Sequence, residues 1–453
     1  MNRRNFIEKS SLAVAAIGIP TIVPASVFGK NAPSNRITVG VIGTGRQGFG
    51  QNLQGSGVQG SSSRIPGLLD VPEAQVVAIS DVDSWRMDKA IKTVNAHYAK
   101  DAPNGNFKGC SAHTDFREII ARKDIDAVMI STPDFWHVPM GILAAQARKH
   151  VSCEKPLSMS VHQGRELVDA LKKYKVVNRT DSEFRSVRIQ NQAVELVRNG
   201  RIGKLQRIDI TFPSDPAPVG SQPDMPVPKE LNYDLWLGPM PYVPYTDMRV
   251  HTPFDLTKRP NWMRVSTYAQ GMISNWGAHY FDMAQWANNS EYSGPVEVEG
   301  KGEFPGGLWN SMINFQVKYR YANGVELTCL QTPTSKPSIR YTGSDGWIFL
   351  DTYPGVVTAS NPKILDSKPG SGELDLSKTL WDKTDFIQAV KENRKTLEPI
   401  EVGHRTISIS QIGLIACQIG EKLKWNPERE LFEGNNAANA LLASPLVRKQ
   451  WVM

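Results

Sequence analysis

Several classes of protein are excluded by what this sequence lacks. Four cysteines, Cys110, Cys153, Cys329 and Cys417, are scattered over 453 residues. None pairs with another at C-x-x-C spacing, so neither a zinc ribbon nor a dithiol redox centre is expected, and no metal. An oxidising compartment permits a disulfide, but this spacing demands none. Beyond the amino terminus there is no long apolar run, so no stable insertion in a membrane is expected. The formal charge is +7, yet Lys and Arg are dispersed and never form a block. Nucleic acid is therefore not an expected partner.

The amino terminus has a separate character. Arg3-Arg4 precede Asn5, Phe6 and Ile7, and a mildly apolar stretch, Leu12–Val23, is broken by Gly18 and Pro20. That stretch is too short to span a bilayer. Val27-Phe28-Gly29 offers a cleavage point before Lys30. Residues 1–29 thus resemble a twin-arginine signal, and the expected location is periplasmic or otherwise exported. Removing Arg3, Arg4 and Lys9 against Glu8 leaves a mature charge of +5, which is mild.

The chain is organised around ITVGVIGTGRQG, Ile37–Gly48. Val39, Val41 and Ile42 read as a buried parallel strand. Gly43, Gly45 and Gly48 then follow in G-x-G-x-x-G spacing. The first permits a tight turn, the second lets backbone approach a pyrophosphate, and the third lets a helix pack on the strand. Amides at that helix start form an anion site, and Arg46 stands among them. Gln54–Pro66, rich in Gly and Ser, reads as an exposed insertion. A second strand, Ala74–Ser80, ends at Asp81, where a carboxylate accepts from ribose hydroxyls and repels a 2′-phosphate. NAD is accordingly expected over NADP, with Arg46 and Arg86 weakening the preference.

Further strands are expected at Ala127–Ser131, before Thr132-Pro133, and at His150–Cys153, before Glu154-Lys155-Pro156. A helix lies between them. Such alternation specifies a doubly wound parallel sheet whose ligands sit at the carboxyl ends of the strands, where Gly43–Gly48, Asp81, Thr132, Pro133 and Glu154 all fall. Residues 36–157 are assigned to this Rossmann domain. Residues 158–453 read as an α+β domain with a large, open, mostly antiparallel sheet, giving α/β overall. Within it Pro213–Pro260, rich in Pro and aromatics, reads as a functional cover or an oligomer arm. Thr406–Leu423 reads as an amphipathic helix after His404.

The glycine motif, STPDFWH (Ser131–His137) and CEKPLS (Cys153–Ser158) together resemble the glucose-fructose oxidoreductase / inositol dehydrogenase / MocA family, from about Arg36 to the end. The resemblance implies that Lys155 lies beside the nicotinamide and hydrogen-bonds the reacting hydroxyl. It makes Gly271–Trp286 the catalytic helix, with His279 as acid/base partner of Lys155. It puts Arg185 and Glu183 where the family contacts substrate, and it implies a homo-oligomer built on the open sheet. Asn275 stands where well-known members carry an aspartate, four residues before the histidine. Asparagine cannot take a proton but can hold a sugar hydroxyl. Asp282 either orients the imidazole, binds a hydroxyl or is structural. Trp262, Trp276 and Tyr280 either stack on a pyranose or pack the core, and Arg264 flanks the cover. His137 either touches cofactor or substrate, or ends a turn. The leading expectation is an exported NAD-dependent sugar or glycoside oxidoreductase. A glycoside hydrolase using NAD for transient oxidation and elimination, and a non-catalytic sugar-binding protein, are the alternatives.

Overall fold

A computed structural model describes residues 35–57, 64–100, 109–352, 355–443 and 448. The expected export signal, residues 1–29, lies outside them. None of the described helices is long and apolar enough to cross a membrane.

Six parallel strands form the first sheet: β1 (Ile37–Ile42), β2 (Ala74–Ser80), β3 (Ser111–His113), β4 (Ala127–Ile130), β5 (His150–Glu154) and β6 (Asn178–Asp181). Their order is β3-β2-β1-β4-β5-β6. The chain runs outward from β1 to β3, then returns to build the other side from β4. The direction of winding therefore switches between β1 and β4, where side loops diverge and leave a crevice. Val39, Val41, Val128, Met129 and Ile130 are wholly buried, which is why these strands read as unbroken apolar runs.

The sheet does not end at residue 157, because β6 extends it to Asp181. Its sequence, Asn-Arg-Thr-Asp, carries no apolar signal. It becomes a strand because β5 offers an unpaired edge, with Glu154 opposite Asp181. Its buried charges are met by groups from far along the chain: Arg179 by Asp385 at 2.9 Å and Asp181 by Lys383 at 2.9 Å.

The second sheet has nine strands: β7 (Leu205–Thr211), β8 (Glu297–Glu303), β9 (Ile313–Arg320), β10 (Glu326–Leu330), β11 (Ser338–Gly343), β12 (Trp347–Asp351), β13 (Val356–Ala359), β14 (Leu423–Asn426) and β15 (Leu431–Phe432). Their order is β13-β12-β11-β7-β10-β9-β8-β14-β15, antiparallel except where β7 meets β10. One face is apolar and buried: Ile208, Ile210, Val317, Tyr319, Leu327, Cys329, Ile339 and Tyr341 alternate with exposed polar residues. The helices Gly277–Ala287 and Ile400–Ile419 cover that face. The second begins four residues before His404 and contains it. Trp425 and Asn426 belong to β14, which pairs with β8 through Leu423 and Lys424.

Candidate functional site

A crevice opens over the carboxyl ends of β1, β2, β4 and β5. Its floor is the glycine turn. Gly43 has φ +88°, and a Cβ there would lie 2.6 Å from the Ser131 carbonyl oxygen. A Cβ on Gly48 would lie 2.2 Å from the Gly43 carbonyl oxygen. Only glycine fits either position, and the result is a tight loop from which Arg46–Leu53 leaves as a π-helix. A Cβ on Gly45 would meet Nη1 of Arg86 at 3.1 Å, so a buried guanidinium stands beside the second glycine. The turn thus has the close backbone approach and the positive charge that a pyrophosphate requires.

Asp81 secures this turn. Its Oδ2 accepts from the Thr44 amide at 2.6 Å and hydroxyl at 2.9 Å, and Oδ1 accepts from the Asp83 amide at 2.9 Å. The carboxylate still lines the crevice, with lone pairs left for a diol. Asp83 caps the next helix through the Arg86 amide and lies 3.2 Å from His251 Nε2.

The segment between residues 228 and 263 roofs the crevice. Ser84 donates to the Glu230 carbonyl and Asn232 to the Val82 carbonyl, at 2.9 and 2.8 Å. Arg46 Nε donates to the Thr257 carbonyl at 3.1 Å, and Arg86 Nη2 to that of Asp255 at 3.4 Å. Trp236, His251, Arg259 and Trp262 line its underside. The Pro- and aromatic-rich stretch is therefore a cover.

Thr132, Pro133, Glu154, Lys155 and Asn275 line the opposite wall. Glu154 accepts from Asn52 Nδ2 at 2.7 Å, and burial pushes its carboxyl above the usual range. Lys155 Nζ donates to Asn275 Oδ1 at 3.0 Å, across the seam between the two sheets' halves. Asn275 is the last residue of a short turn, Met272–Asn275, that leads into the helix Gly277–Ala287.

His279 lies one helical turn beyond Asn275 and is 6 % exposed. Its Nδ1 is 3.2 Å from Ser182 Oγ and its Nε2 is 4.0 Å from Glu183 Oε1. Phe184 stacks on the ring, centroids 4.4 Å apart. Burial pushes the imidazole down to about 4, with Glu183 pulling the other way and Lys155 and Arg259 adding to the fall. Glu183 is held below its ordinary range despite burial, first by His279 and then by Lys155. Lys155, Glu183 and His279 are thus brought within electrostatic reach from three separate elements.

Other expected site residues have different tasks here. Arg185 and Asp282 do not face the crevice: they form a two-bonded pair at 2.8 and 2.6 Å, both essentially inaccessible. Arg185 also reaches Glu291 at 2.6 Å and covers the Trp286 ring. Arg264 is bound to Asp215 at 3.2 Å and lies over Trp309. Tyr280 is core, bonded to the Thr352 hydroxyl, and half-buried Trp276 stacks on it. His137 lies behind the wall, its ring nitrogens 2.8 Å from the Pro156 carbonyl and 2.9 Å from that of Thr132. It braces the two wall loops against each other.

One wall residue escaped the sequence reading. Asp134, the first residue of the helix Asp134–Gln146, lines the crevice. Burial raises its carboxyl to about 8, against the pull of Lys155. It lay in plain view in STPDFWH, but an acid in the first turn of a helix reads as a partner of the helix dipole.

Comparison with known proteins agrees with this geometry. Residues 37–181 match the model "Oxidoreductase family, NAD-binding Rossmann fold" and residues 219–453 match "Oxidoreductase family, C-terminal alpha/beta domain", both of GFO_IDH_MocA. Among curated relatives, glycosyl hydrolase family 109 protein 2 of Shewanella sp. (strain ANA-3) is 28% identical over 221 residues, 45% of this chain and 44% of that protein. The uncharacterized oxidoreductase YrbE of Bacillus subtilis is 27% identical over 245 residues, 52% of this chain and 58% of that protein. The chain spans about half the length of the curated relatives it matches. The fold is shared with the aldose-aldose oxidoreductase of Caulobacter crescentus (TM-score 0.61, 15% identity, 86% of this chain and 99% of that one). It is also shared with a levoglucosan dehydrogenase solved with NADH and levoglucosan (TM-score 0.57, 17% identity, 86% and 99%). The first sheet is an NAD-binding Rossmann domain, and the residues of its crevice fit that cofactor.

Proposed function

This chain belongs to the Gfo/Idh/MocA oxidoreductase family, and from that premise we propose that it is an exported oxidoreductase acting on a ring carbinol of a sugar or glycoside with a retained NAD(H). When bound, the nicotinamide supplies the hydride acceptor or donor. The glycine turn, Arg86 and Asp81 hold the nucleotide, and Thr132, Pro133 and Glu154 shape the wall beside it.

The observation that carries the reading is the 3.0 Å bond from Lys155 Nζ to Asn275 Oδ1. It brings an ammonium from the strand end of one half to the foot of the helix that carries His279. A substrate hydroxyl that displaces or bridges this contact meets the Lys155 ammonium, which favours an alkoxide-like oxygen. His279 is neutral at physiological pH, because burial disfavours its cation, and so is ready to receive the hydroxyl proton. Asn275 keeps its amide for a sugar hydroxyl, since it cannot share the proton.

Retention of the nucleotide is supported by the roof. Its bonds to Arg46 and Arg86 must break before the crevice opens at the phosphate end. A folded enzyme exported through the twin-arginine route would then carry its nucleotide with it, and the open sheet would serve a homo-oligomer. The test is to denature the purified protein, assay the released nucleotide, and screen sugars and glycosides for reduction of the bound NAD. A protein that is loaded yet reduces its nucleotide with none of them would end the oxidoreductase reading.

The likeness to glycosyl hydrolase family 109 proteins favours a second reading. The same crevice would oxidise a glycoside transiently, eliminate the aglycone, admit water to add where it left, and return the hydride. Free sugar would then appear with no net NADH.

A further inference from the structure

We propose that Glu183 is the positioning residue that supplies the counter-charge for His279, so that the acid/base unit is a pair drawn from two elements rather than from one helix. The proposal rests on the oxidoreductase reading of the same crevice.

The helix bearing His279 leaves it without a carboxylate of its own. Asn275, one turn before, is neutral and accepts from Lys155 at 3.0 Å. Asp282, three residues on, has both oxygens committed to Arg185 at 2.6 and 2.8 Å. The residues that grip the imidazole come instead from the turn after β6. Three consecutive side chains do so: Ser182 at Nδ1, Glu183 facing Nε2, and Phe184 against one ring face. Trp276 meets the ring edge-on, at 6.2 Å between centroids. The charges that bear on this imidazole are Glu183, which favours its cation, and Lys155 and Arg259, which oppose it.

At 4.0 Å the Nε2–Oε1 separation is too long for a hydrogen bond. Neutral Nε2 and the carboxylate both accept, so a hydroxyl with its single proton donates to only one of them. A carbinol hydroxyl that reaches the imidazole donates to Nε2. As its O–H bond breaks an N–H bond forms at Nε2, and the electron pair stays on the oxygen. Lys155 and Arg259 disfavour the imidazolium so formed, and Glu183 is the charge that balances it. Lys155 is hydrogen-bonded to the neutral Asn275, and its ammonium faces the oxygen.

The test is a pH titration of the His279 ring by NMR in the whole protein, beside the pH profile of kcat/KM. Glu183→Gln is expected to move the His279 titration about one pH unit lower. The acidic limb of kcat/KM is expected to move in the same direction, with kcat at pH 7 falling about tenfold. Glu183→Asp, which withdraws the charge by one methylene, is expected to lie between Gln and wild type, and it serves if the Gln variant does not fold. Adding Asn275→Asp to Glu183→Gln restores a carboxylate one turn from His279 and is expected to return the limb toward its wild-type position. An unchanged ring titration with only KM raised would make Glu183 a substrate contact and overturn the proposal. A wild type that oxidises no sugar would overturn the oxidoreductase reading instead, while the ring titration still decides the pairing.

Discussion

Asp282 and Arg185 hold each other by two bonds in a site that water does not reach. Breaking the pair is costly, because water does not replace the lost partner and Glu291, at 2.6 Å from Arg185, meets only one end of the guanidinium. Asp282→Asn is expected to destabilise the protein by about 3–5 kcal/mol. The double change Asp282→Leu/Arg185→Met is expected to recover much of that loss. Denaturant midpoints of the single and double variants check this. A wild-type midpoint with absent activity in Asp282→Asn would return Asp282 to the reaction.

Lys155→Ala is expected to slow reduction of the bound nucleotide by a factor of about 10²–10⁴ while leaving nucleotide content intact. Single-turnover absorbance with a reactive sugar measures the first quantity, and assay of the denatured protein measures the second. Lys155→Arg is expected to rescue little, since a planar fork cannot repeat the point contact to Asn275.

Gly48→Ala puts a methyl group 2.2 Å from the Gly43 carbonyl oxygen. The contact is backbone on both sides and has no flexible group to yield. The variant is expected to purify without nucleotide and with a lowered melting temperature. Gly50→Ala is its control, because a Cβ there meets nothing within 4 Å.

Asp134 is raised to about 8 in the folded protein from an ordinary 3.8, by burial. The folded state therefore holds a proton that the unfolded state has released, and stability falls as pH rises between those values. The slope from this one group approaches about 1.4 kcal/mol per pH unit. His137 and His279, both lowered to about 4, work in the opposite sense, but only below about 6.5. Asp134→Asn is expected to flatten the loss of stability between pH 6.5 and 8 in chemical denaturation of the nucleotide-free protein. An unchanged slope would show that Asp134 titrates normally.

The cofactor half was readable because each part of it has a local cause. Gly43 answers a local turn with φ +88° and Gly48 the carbonyl of Gly43 in the same loop, and Val39–Ile42 is apolar because it is a central strand. The strand β6 was not readable, because Asn178–Asp181 is held by β5 and by Lys383 and Asp385, more than two hundred residues on. His279 and Asp282 stand three residues apart on the helix Gly277–Ala287. What each meets was not legible: Glu183 lies against the first and Arg185 against the second, from a turn almost a hundred residues earlier.

By itself the sequence determined that a nucleotide turn, a parallel sheet and a histidine-bearing helix exist, since glycine spacing and hydrophobic period act over neighbouring residues. Tertiary structure alone decided which polar groups remain for chemistry. Arg185, Asp282 and Arg264 are as polar as Lys155 and Asn275, and only the partner that packing brings to each one separates an ion pair from a group left lining the crevice. Charge pairing across a fold depends on distance in space, and that distance is set by every element at once.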